Sequence, residues 1–366
     1  MSLRIGFIGC GGVAYMKHFP GMKQEKNVEM VAFCDIVKER ADKAVVEFGS
    51  EDAKVYTDYR ELLKDASIDA VHVLTPNVSH CEITVASLEA GKHVLCEKPM
   101  AATTADAEKM LEARDRTGKL LTIGYQYRHS HANALAKAVI DEGWLGDIYY
   151  AEASYIRRRG VPTWGVFTDK AQQGGGPLID IGTHALDNAL FLMDNYEVDY
   201  VAGVAFEKLG RLLTPYMQGQ VSWDNSVPDS WDNKTFEVED SAVGFIKMKN
   251  GAVIHLKASW AINMANNPAM ILLCGTKGGL DTHDDRVRLN HVMAGQQVIT
   301  MVGEKVAPFI PGYSGGEAPP SLEAQIWAKA LRGEGGLFVT ADQAFVVTKV
   351  LDSIYESSRT GKAVYF

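Results

Sequence analysis

A carboxylate and an imidazole stand four residues apart in the segment 174–184, which begins with three glycines and a proline. Apolar residues at helical spacing follow, so if the helix has begun by Asp180, this side chain and His184 share one face and can touch. A carboxylate beside an imidazole fixes its tautomer and raises its basicity, as a general base requires. The alternative is a helix cap at Asp180 and a packed, partly buried His184. Taken alone, the pair favours this alternative, and the rest of the chain must decide.

A second candidate site follows the apolar run at residues 4–8, where the sequence matches the dinucleotide-binding pattern G-x-G-x-x-G/A. Gly9 would allow the tight turn, Gly11 would let the backbone approach a pyrophosphate, and Ala14 would let the helix pack on the strand. Free N–H groups at the helix start would bind the phosphates. The predicted phosphate-binding residues are Gly9, Gly11, Gly12, Val13 and Ala14.

The second apolar run, residues 28–34, ends at Asp35, about 20 residues beyond Ala14. A carboxylate at this position accepts hydrogen bonds from the ribose of adenosine and repels a 2′-phosphate, which favours NAD over NADP. We assign its neighbour Ile36 to the same site. The alternative is that Asp35 only caps the helix predicted over residues 38–48.

Strands and helices alternate as far as residue 124, which predicts a parallel sheet with right-handed crossovers. Further strands are predicted at residues 69–74, 93–96 and 120–124, and a helix at 105–117. Ligands on such sheets lie beyond the carboxyl ends of the strands. The remaining residues assigned to the cofactor lie at or just after these ends: Thr75, Asn77, His80, Glu97, Lys98 and Gln126.

Lys98 follows an apolar strand at the edge where the reactive ring of a cofactor should lie. A cation at that point could stabilise the alkoxide that forms when a hydroxyl loses its proton, or relay the proton. The alternative is a lysine paired with its neighbour Glu97.

The pattern changes after residue 124, where strands dominate and Asn250-Gly251 predicts a hairpin. Strands are predicted at 148–159, 199–206, 241–248, 252–261, 269–274, 287–290 and 297–302, and helices at 132–142 and 341–359. The predicted fold is α/β, with an N-terminal Rossmann parallel sheet and a C-terminal α+β domain built on a largely antiparallel, open sheet. We place an NAD-binding domain at residues 1–124 and a domain for substrate binding and oligomerisation at residues 125–366.

Composition limits the functional classes. The chain has 366 residues with a formal net charge of -9, which disfavours nucleic acid and anionic membranes as partners. Apolar runs are too short to span a bilayer, no secretory signal is evident, and the odd number of cysteines, five, suggests free thiols in the cytoplasm. Residues 281–285 have metal-like types but are interpreted as a polar turn, so no metal is predicted.

Candidate substrate contacts are found after the last Rossmann strand and in the first strand of the second domain. Tyr127 and Arg128 should approach the pocket, and Tyr155 and Trp164 could stack on a sugar face or be core or interface aromatics. Arg157 could bind an anionic group, although strand alternation would send residues 157–159 to opposite faces and favours a solvated or interface role.

These motifs resemble the Gfo/Idh/MocA family, over nearly the whole chain. The resemblance rests on the glycine fingerprint at residues 9–14, Thr75-Pro76-Asn77 with His80, Glu97-Lys98-Pro99, and the Gly175-Gly176 pair followed by Asp180 and His184. It implies a Rossmann domain followed by an open-sheet domain that forms the substrate pocket and the oligomer contacts. It also implies that Lys98, Asp180 and His184 are the catalytic residues, that the substrate is a sugar, glycoside or cyclitol, and that the chain forms a homo-oligomer, whether dimer, tetramer or hexamer.

The resemblance and the residue chemistry together predict an NAD-dependent dehydrogenase. His184, oriented by Asp180, removes the proton of a ring hydroxyl, Lys98 stabilises the developing charge, and the carbinol hydrogen leaves as hydride. We expect a hexose or pyranoside as substrate, oxidised at C3. The alternatives are an inositol dehydrogenase, an NAD-dependent glycosidase that acts by transient oxidation, and a non-catalytic sensor of sugar and dinucleotide.

Overall fold

The structure, a computed structural model, describes residues 2–212, 236–265, 268–283, 286–302 and 321–366. These residues form two compact units. The first contains the described residues up to Gln126 together with residues 321–345, and the second contains the others. Among the described residues, no helix is both long and apolar enough to cross a membrane.

The first unit is built on a six-stranded parallel sheet with the strand order β3-β2-β1-β4-β5-β6. The strands are β1 (Leu3–Ile8), β2 (Val28–Cys34), β3 (Lys54–Tyr56), β4 (Ala70–Val73), β5 (His93–Glu97) and β6 (Leu121–Gly124). The connecting helices are α1 (Phe19–Gln24), α2 (Lys38–Phe48), α3 (Tyr59–Leu63), α4 (His80–Glu89) and α5 (Thr104–Thr117). This confirms the predicted Rossmann sheet, to which the structure adds the short strand β3.

Local sequence signals account for several of these boundaries. The Thr103 side chain accepts a hydrogen bond from the backbone N–H of Asp106 and so caps α5. Gly118, at φ 63°, ends the same helix in a left-handed conformation that glycine adopts without strain. The aromatic rings of Phe7, Phe19 and Phe33 pack together between the sheet and α1, where all three are fully buried.

The second unit contains a nine-stranded sheet with the order β14-β13-β12-β11-β7-β10-β9-β8-β15, antiparallel throughout except for the pair β7–β10. Its strands are β7 (Ile148–Ile156), β8 (Val198–Phe206), β9 (Ser241–Met248), β10 (Val253–Ser259), β11 (Ile271–Gly275), β12 (Gly278–His283), β13 (Arg286–Met293), β14 (Gln296–Val302) and β15 (Val364–Tyr365). The remaining α-helices of the described residues are α6 (His131–Asp141), α7 (Lys170–Gln173), α8 (Thr183–Met193), α9 (Ser321–Leu331) and α10 (Ala341–Thr360). The largely antiparallel sheet is confirmed.

Helix α10 lies on one face of this sheet, and apolar side chains are exposed on the other. A Cβ added at Gly203 or Gly244 would meet Ile354 of α10, at 2.8 and 2.5 Å, so the helix lies directly on the strands at these glycines. On the opposite face Val204 and Val243, which are cross-strand neighbours, remain exposed. The alternation of buried and exposed residues along β9 follows from this arrangement.

Two predictions about secondary structure were wrong, and one helix was missed. Strand β7 ends at Ile156 rather than residue 159. In the irregular segment that follows, the Arg157 and Arg159 guanidinium groups donate to the backbone carbonyls of Gly160 and Ile262. Residues 281–283 belong to strand β12 and not to a polar turn, and residues 284–285 lie outside the described residues. Helix α9 was not predicted.

Candidate functional site

The turn after β1 has the shape that the glycine fingerprint predicts. Gly9 has φ 100°, and a Cβ there would lie 2.6 Å from the carbonyl oxygen of Leu74, so only glycine fits. Among the described residues, no atom would lie within 4 Å of a Cβ added at Gly11 or Gly12, so a ligand could approach this backbone closely. Ala14 is fully buried where the helical segment begins. This combination of a close turn and an open backbone fits a dinucleotide pyrophosphate.

Asp35 is tied to the same turn. Its Oδ2 accepts a hydrogen bond from the N–H of Cys10 at 2.9 Å, and its Oδ1 accepts one from the N–H of Val37 at 2.8 Å. Each oxygen keeps a second lone pair, so the carboxylate can still accept from ribose hydroxyl groups. Ile36, beside it, is 91% exposed. Since the carboxylate also holds the glycine turn, a change at Asp35 would alter both features.

His80 joins two of the loops that were assigned to the cofactor. The ring is 1% exposed, with Nε2 lying 2.9 Å from the carbonyl oxygen of Thr75 and Nδ1 lying 2.8 Å from that of Pro99. Burial lowers the pKa of His80, while the two carbonyl oxygens favour its protonated form. Asn77 begins a short 3₁₀ turn between Thr75 and His80. The geometry therefore gives His80 a bridging position behind the loops.

Glu97 lies in a buried network of charges at the end of β5. Its Oε1 is 2.6 Å from Nζ of Lys17 and 2.9 Å from Nε2 of His18, and its Oε2 accepts the N–H of Lys98 at 3.0 Å. Burial acts to raise the pKa of Glu97, but Lys17 and His18 hold it well below its usual value. Lys17 also donates to Gln126 Oε1 at 3.1 Å. Glu97 thus holds the backbone at Lys98, whose side chain is half-buried.

In the second unit, Asp180 and His184 lie on one continuous helical segment. Asp180 belongs to a wide π-type turn, Leu178–Gly182, which passes directly into α8, and His184 is 5% exposed in the first turn of α8. Wide turns of this type are frequent at functional sites. The indole Nε1 of Trp260 donates to Asp180 Oδ2 at 3.1 Å. The helix thus carries both residues, as predicted, although its first turn is wider than an α-helix.

Aromatic side chains surround His184. Its ring lies 4.8 Å from that of Tyr127, nearly perpendicular to it, and 6.5 Å from that of Tyr155. The two tyrosine hydroxyls are 3.1 Å apart, and the Arg157 guanidinium lies 5.5 Å from the centroid of the Tyr155 ring. Burial raises the pKa of Tyr127, and its interaction with Tyr155 adds to the rise. The negative charge of Asp180 also acts to raise the pKa of Tyr127. Five predicted site residues therefore lie in one neighbourhood: Tyr127, Tyr155, Arg157, Asp180 and His184.

Two other predicted substrate residues lie in different surroundings. Arg128 is 1% exposed and donates through Nε and Nη2 to the Asp187 carboxylate at 2.9 and 2.5 Å. Trp164 packs edge-on against Phe167, which in turn packs against Trp260. The guanidinium of Arg128 is therefore occupied by a buried carboxylate. Trp164, by contrast, reaches Asp180 indirectly, through the side chains of Phe167 and Trp260.

Sequence reasoning missed two residues that contact this helix. Trp260 donates to Asp180, and Glu239 accepts hydrogen bonds from the N–H groups of Gly176 and Leu178 just before it. Glu239 is followed by a second acid and then by a strand, a context typical of a solvated turn. Nothing in the local pattern indicates that this carboxylate is buried.

Comparisons with known proteins identify the family of the chain. Residues 3–125 match the model of an oxidoreductase family with an NAD-binding Rossmann fold, and residues 133–281 match that of the GFO/IDH/MocA C-terminal domain. The chain is 32% identical to D-glucoside 3-dehydrogenase of Escherichia coli, over 99% of this chain and 97% of that protein. It is 34% identical to inositol 2-dehydrogenase of Salmonella typhimurium, over 45% of this chain and 49% of that protein.

A solved structure gives the same result for the fold. Levoglucosan dehydrogenase in complex with NADH and levoglucosan is similar with a TM-score of 0.80 and 25% identity, covering 100% of this chain and 99% of that one. The family models together match well over half of the chain. The chain therefore belongs to the Gfo/Idh/MocA family of oxidoreductases, with NAD as its cofactor.

Proposed function

We propose that this protein is an NAD-dependent dehydrogenase that oxidises a ring secondary alcohol of a hexose or pyranoside, with C3 of a D-glucoside as the preferred position. The observation that carries the proposal is the similarity to D-glucoside 3-dehydrogenase, which extends over 99% of this chain. The similarity to inositol 2-dehydrogenase covers less than half of the chain. An inositol is therefore the second candidate substrate.

In this proposal the glycine turn binds the pyrophosphate and Asp35 binds the ribose of adenosine. The open backbone at Gly11 and Gly12 and the orientation of Asp35 toward the turn support these roles. The other residues proposed to form or support the cofactor site are Gly9, Val13, Ala14, Ile36, Thr75, Asn77, His80, Glu97, Lys98 and Gln126. When bound, the nicotinamide accepts a hydride at C4.

His184 takes the proton of the substrate hydroxyl, and Asp180, four residues earlier on the same helical segment, orients its imidazole. Lys98 stabilises the negative charge that develops on the substrate oxygen. The buried position of His184 among aromatic rings supports its role, because low exposure keeps water from competing for the proton.

Tyr127, Tyr155, Arg157 and Trp164 are proposed to contact the substrate. Aromatic faces suit the apolar face of a pyranose, and the tyrosine hydroxyl pair can bind ring hydroxyl groups. The guanidinium of Arg128 is buried in its ion pair with Asp187, so Arg128 cannot contact the substrate directly. We propose that Arg128 instead supports its chain neighbour Tyr127.

We further propose that residues 1–124 form the NAD-binding domain, to whose compact unit residues 321–345 also belong, and that the rest of residues 125–366 bind substrate and form a homo-oligomer in the cytoplasm. The face of the nine-stranded sheet opposite α10 supports the oligomer, because Val204, Phe206 and Val243 are exposed there beside stacked rings of Tyr200 and Phe245. The five free thiols support a reducing compartment.

The function is tested by NAD reduction with a panel of methyl D-glucosides, free hexoses, levoglucosan and inositols, and by NMR identification of the ketone. We expect the highest kcat/KM with a D-glucoside and a keto group at C3. A preference for an inositol would favour the second candidate. No hydride transfer with any ring polyol, in either direction, would contradict the proposal.

A further inference from the structure

The loop that precedes Asp180 is fastened by a carboxylate from a distant part of the second unit. Glu239 Oε2 accepts a hydrogen bond from the N–H of Gly176 at 2.9 Å, and its Oε1 accepts one from the N–H of Leu178 at 3.0 Å. The hydroxyl of Tyr355, on α10, donates to the same Oε1 at 2.8 Å. Three donors from two segments thus converge on one carboxylate.

This carboxylate is buried, which makes its contacts important. Glu239 is 5% exposed, and burial raises its pKa, while the N–H groups of Gly176 and Leu178 and the Tyr355 hydroxyl act in the opposite direction. The two N–H groups lie at the start of the helical segment that carries Asp180, where the helix dipole favours a negative charge. The carboxylate therefore also supplies the cap for which this helix start has no side chain of its own.

The glycines of the loop are required by the same contacts. An added Cβ at Gly175 would overlap the hydroxyl oxygen of Tyr355, and one at Gly176 would overlap the carbonyl oxygen of Glu239. Only a backbone without side chains can come this close to both residues. The glycines noted in the sequence thus fit the loop against Glu239 and Tyr355.

The fastened loop sets the position of the residues that follow it. The N–H of Asp180 donates to the carbonyl oxygen of Gly176 at 3.0 Å, so the first turn is built directly on the fastened residue. We propose that Glu239, together with Tyr355, is a positioning residue that fixes the helix start and thereby the orientation of Asp180 and His184 for proton transfer. This inference rests on the catalytic roles proposed above for those two residues.

The test compares Glu239→Gln and Tyr355→Phe with Ser357→Ala in the full-length protein. Glutamine has one oxygen and one NH₂ group, so it can accept from only one of the two N–H groups and opposes the other with a donor. Ser357 is a matched control, because its buried hydroxyl on the same helix α10 accepts a hydrogen bond from the N–H of Gly203 on β8 rather than from Glu239 or the loop.

We expect Glu239→Gln to lower kcat by about ten- to a hundredfold, as a displaced catalytic group does, and to leave the KM for NAD unchanged. Tyr355→Phe should show a smaller loss in the same direction, and Ser357→Ala should keep the wild-type kcat. Amide hydrogen exchange at Gly176 and Leu178 should be faster in Glu239→Gln by about tenfold or more and unchanged in Ser357→Ala.

The two readouts separate this inference from the proposed function. If the wild type oxidises no ring polyol, the proposed function fails, and exchange at Gly176 and Leu178 still tests the fastening. If Glu239→Gln folds, keeps the wild-type kcat and shows wild-type amide exchange at Gly176 and Leu178, the Glu239 carboxylate is not needed to hold the loop. That result would overturn the inference. Equal losses of kcat in Tyr355→Phe and Ser357→Ala would also overturn it, because they would indicate general destabilisation of α10.

Discussion

The guanidinium of Arg128 and the carboxylate of Asp187 form an ion pair whose side chains are 0% and 1% exposed. The guanidinium also lies 5.1 Å from the centroid of the Phe191 ring. Burial raises the pKa of Asp187, although Arg128 acts to lower it. The pair therefore joins the segment after Tyr127 to the helix α8 that carries His184, and each charge depends on the other.

Replacing Asp187 with Asn should destabilise the second unit by about 3–5 kcal/mol, because a buried guanidinium would lose its compensating charge. Urea unfolding of the full-length protein measures the effect. Asp42→Asn provides the control, since Asp42 pairs with Lys38 at 2.7 Å on an exposed helix surface. That change should cost less than about 1 kcal/mol. Equal effects of the two substitutions would contradict the prediction.

Lys17→Met should remove the cation between two carboxylates. Lys17 lies 2.6 Å from Glu97 and 2.8 Å from Glu323, and although burial acts to lower its pKa, these carboxylates outweigh burial and raise it. The substitution leaves both acids without this partner, so we expect a loss of about 3–5 kcal/mol at neutral pH.

The loss in Lys17→Met should depend on pH in a defined direction. In the wild type the pKa of Glu97 lies well below its ordinary value of 4.5, so its contribution to stability is present above that pH and is lost as the pH falls through the folded-state pKa. Without Lys17, burial should raise the pKa of Glu97. Protonation of Glu97 at acidic pH then removes the unpaired buried charge and with it part of the loss of stability in the variant. The difference in unfolding free energy between wild type and variant should therefore be largest near neutral pH and shrink toward pH 4. A difference that is constant over this range would contradict the assignment.

Local signals predicted most of the first unit. Helix α2 was predicted at residues 38–48 and strand β2 at 28–34, and the structure has both within these bounds. Helix α9 was missed because its position depends on distant contacts: Trp327 is buried in the core of the first unit and Glu323 pairs with Lys17. Hydrophobic periodicity shows which face of a segment is apolar, but it does not show against which unit that face packs.

The candidate site shows the same limit. Asp180 and His184 were selected as candidates from their spacing of four residues. Both lie on one helical segment, and the relative position of two residues on a helix depends little on what packs around it. Glu239 and Trp260 were not identified, since their contacts with this segment span 61 or more residues of sequence. A buried carboxylate that binds backbone N–H groups has no sequence pattern that distinguishes it from a solvated one.

Asp35→Asn should weaken the discrimination between NAD and NADP. The variant keeps the shape of the side chain but loses the negative charge that repels a 2′-phosphate. It also loses one of the two oxygens that accept hydrogen bonds from the N–H groups of Cys10 and Val37. A charge-assisted hydrogen bond contributes about 1.5–3 kcal/mol, so the ratio of kcat/KM for the two cofactors should narrow by about ten- to a hundredfold. Glu39→Gln, in the first turn of α2, is the control. An unchanged ratio in Asp35→Asn would exclude the ribose contact.

Lys98→Ala should lower kcat by about 10²–10³-fold, the cost of removing one group that stabilises a developing oxyanion. The hydrogen bond between the Lys98 N–H and Glu97 involves the backbone and survives the substitution, so the loop should keep its shape. NAD binding, followed by protein fluorescence, should persist. Lys119→Ala, at a residue before β6, serves as the control. Wild-type turnover in Lys98→Ala would remove this residue from the mechanism.

His184→Ala should lower kcat by about 10²–10⁴-fold, the usual contribution of a general base, while NAD binding is retained. Because the imidazole must be neutral to accept the hydroxyl proton, kcat/KM of the wild type should fall at acidic pH, and this dependence should disappear in His184→Ala. His255→Ala is the matched control, since that imidazole packs between Phe245 and Tyr150 on the nine-stranded sheet. If His184→Ala kept the acidic limb of the wild-type profile, another group would have to be the base, and Tyr127, whose ring lies 4.8 Å from that of His184, would be the next residue to substitute.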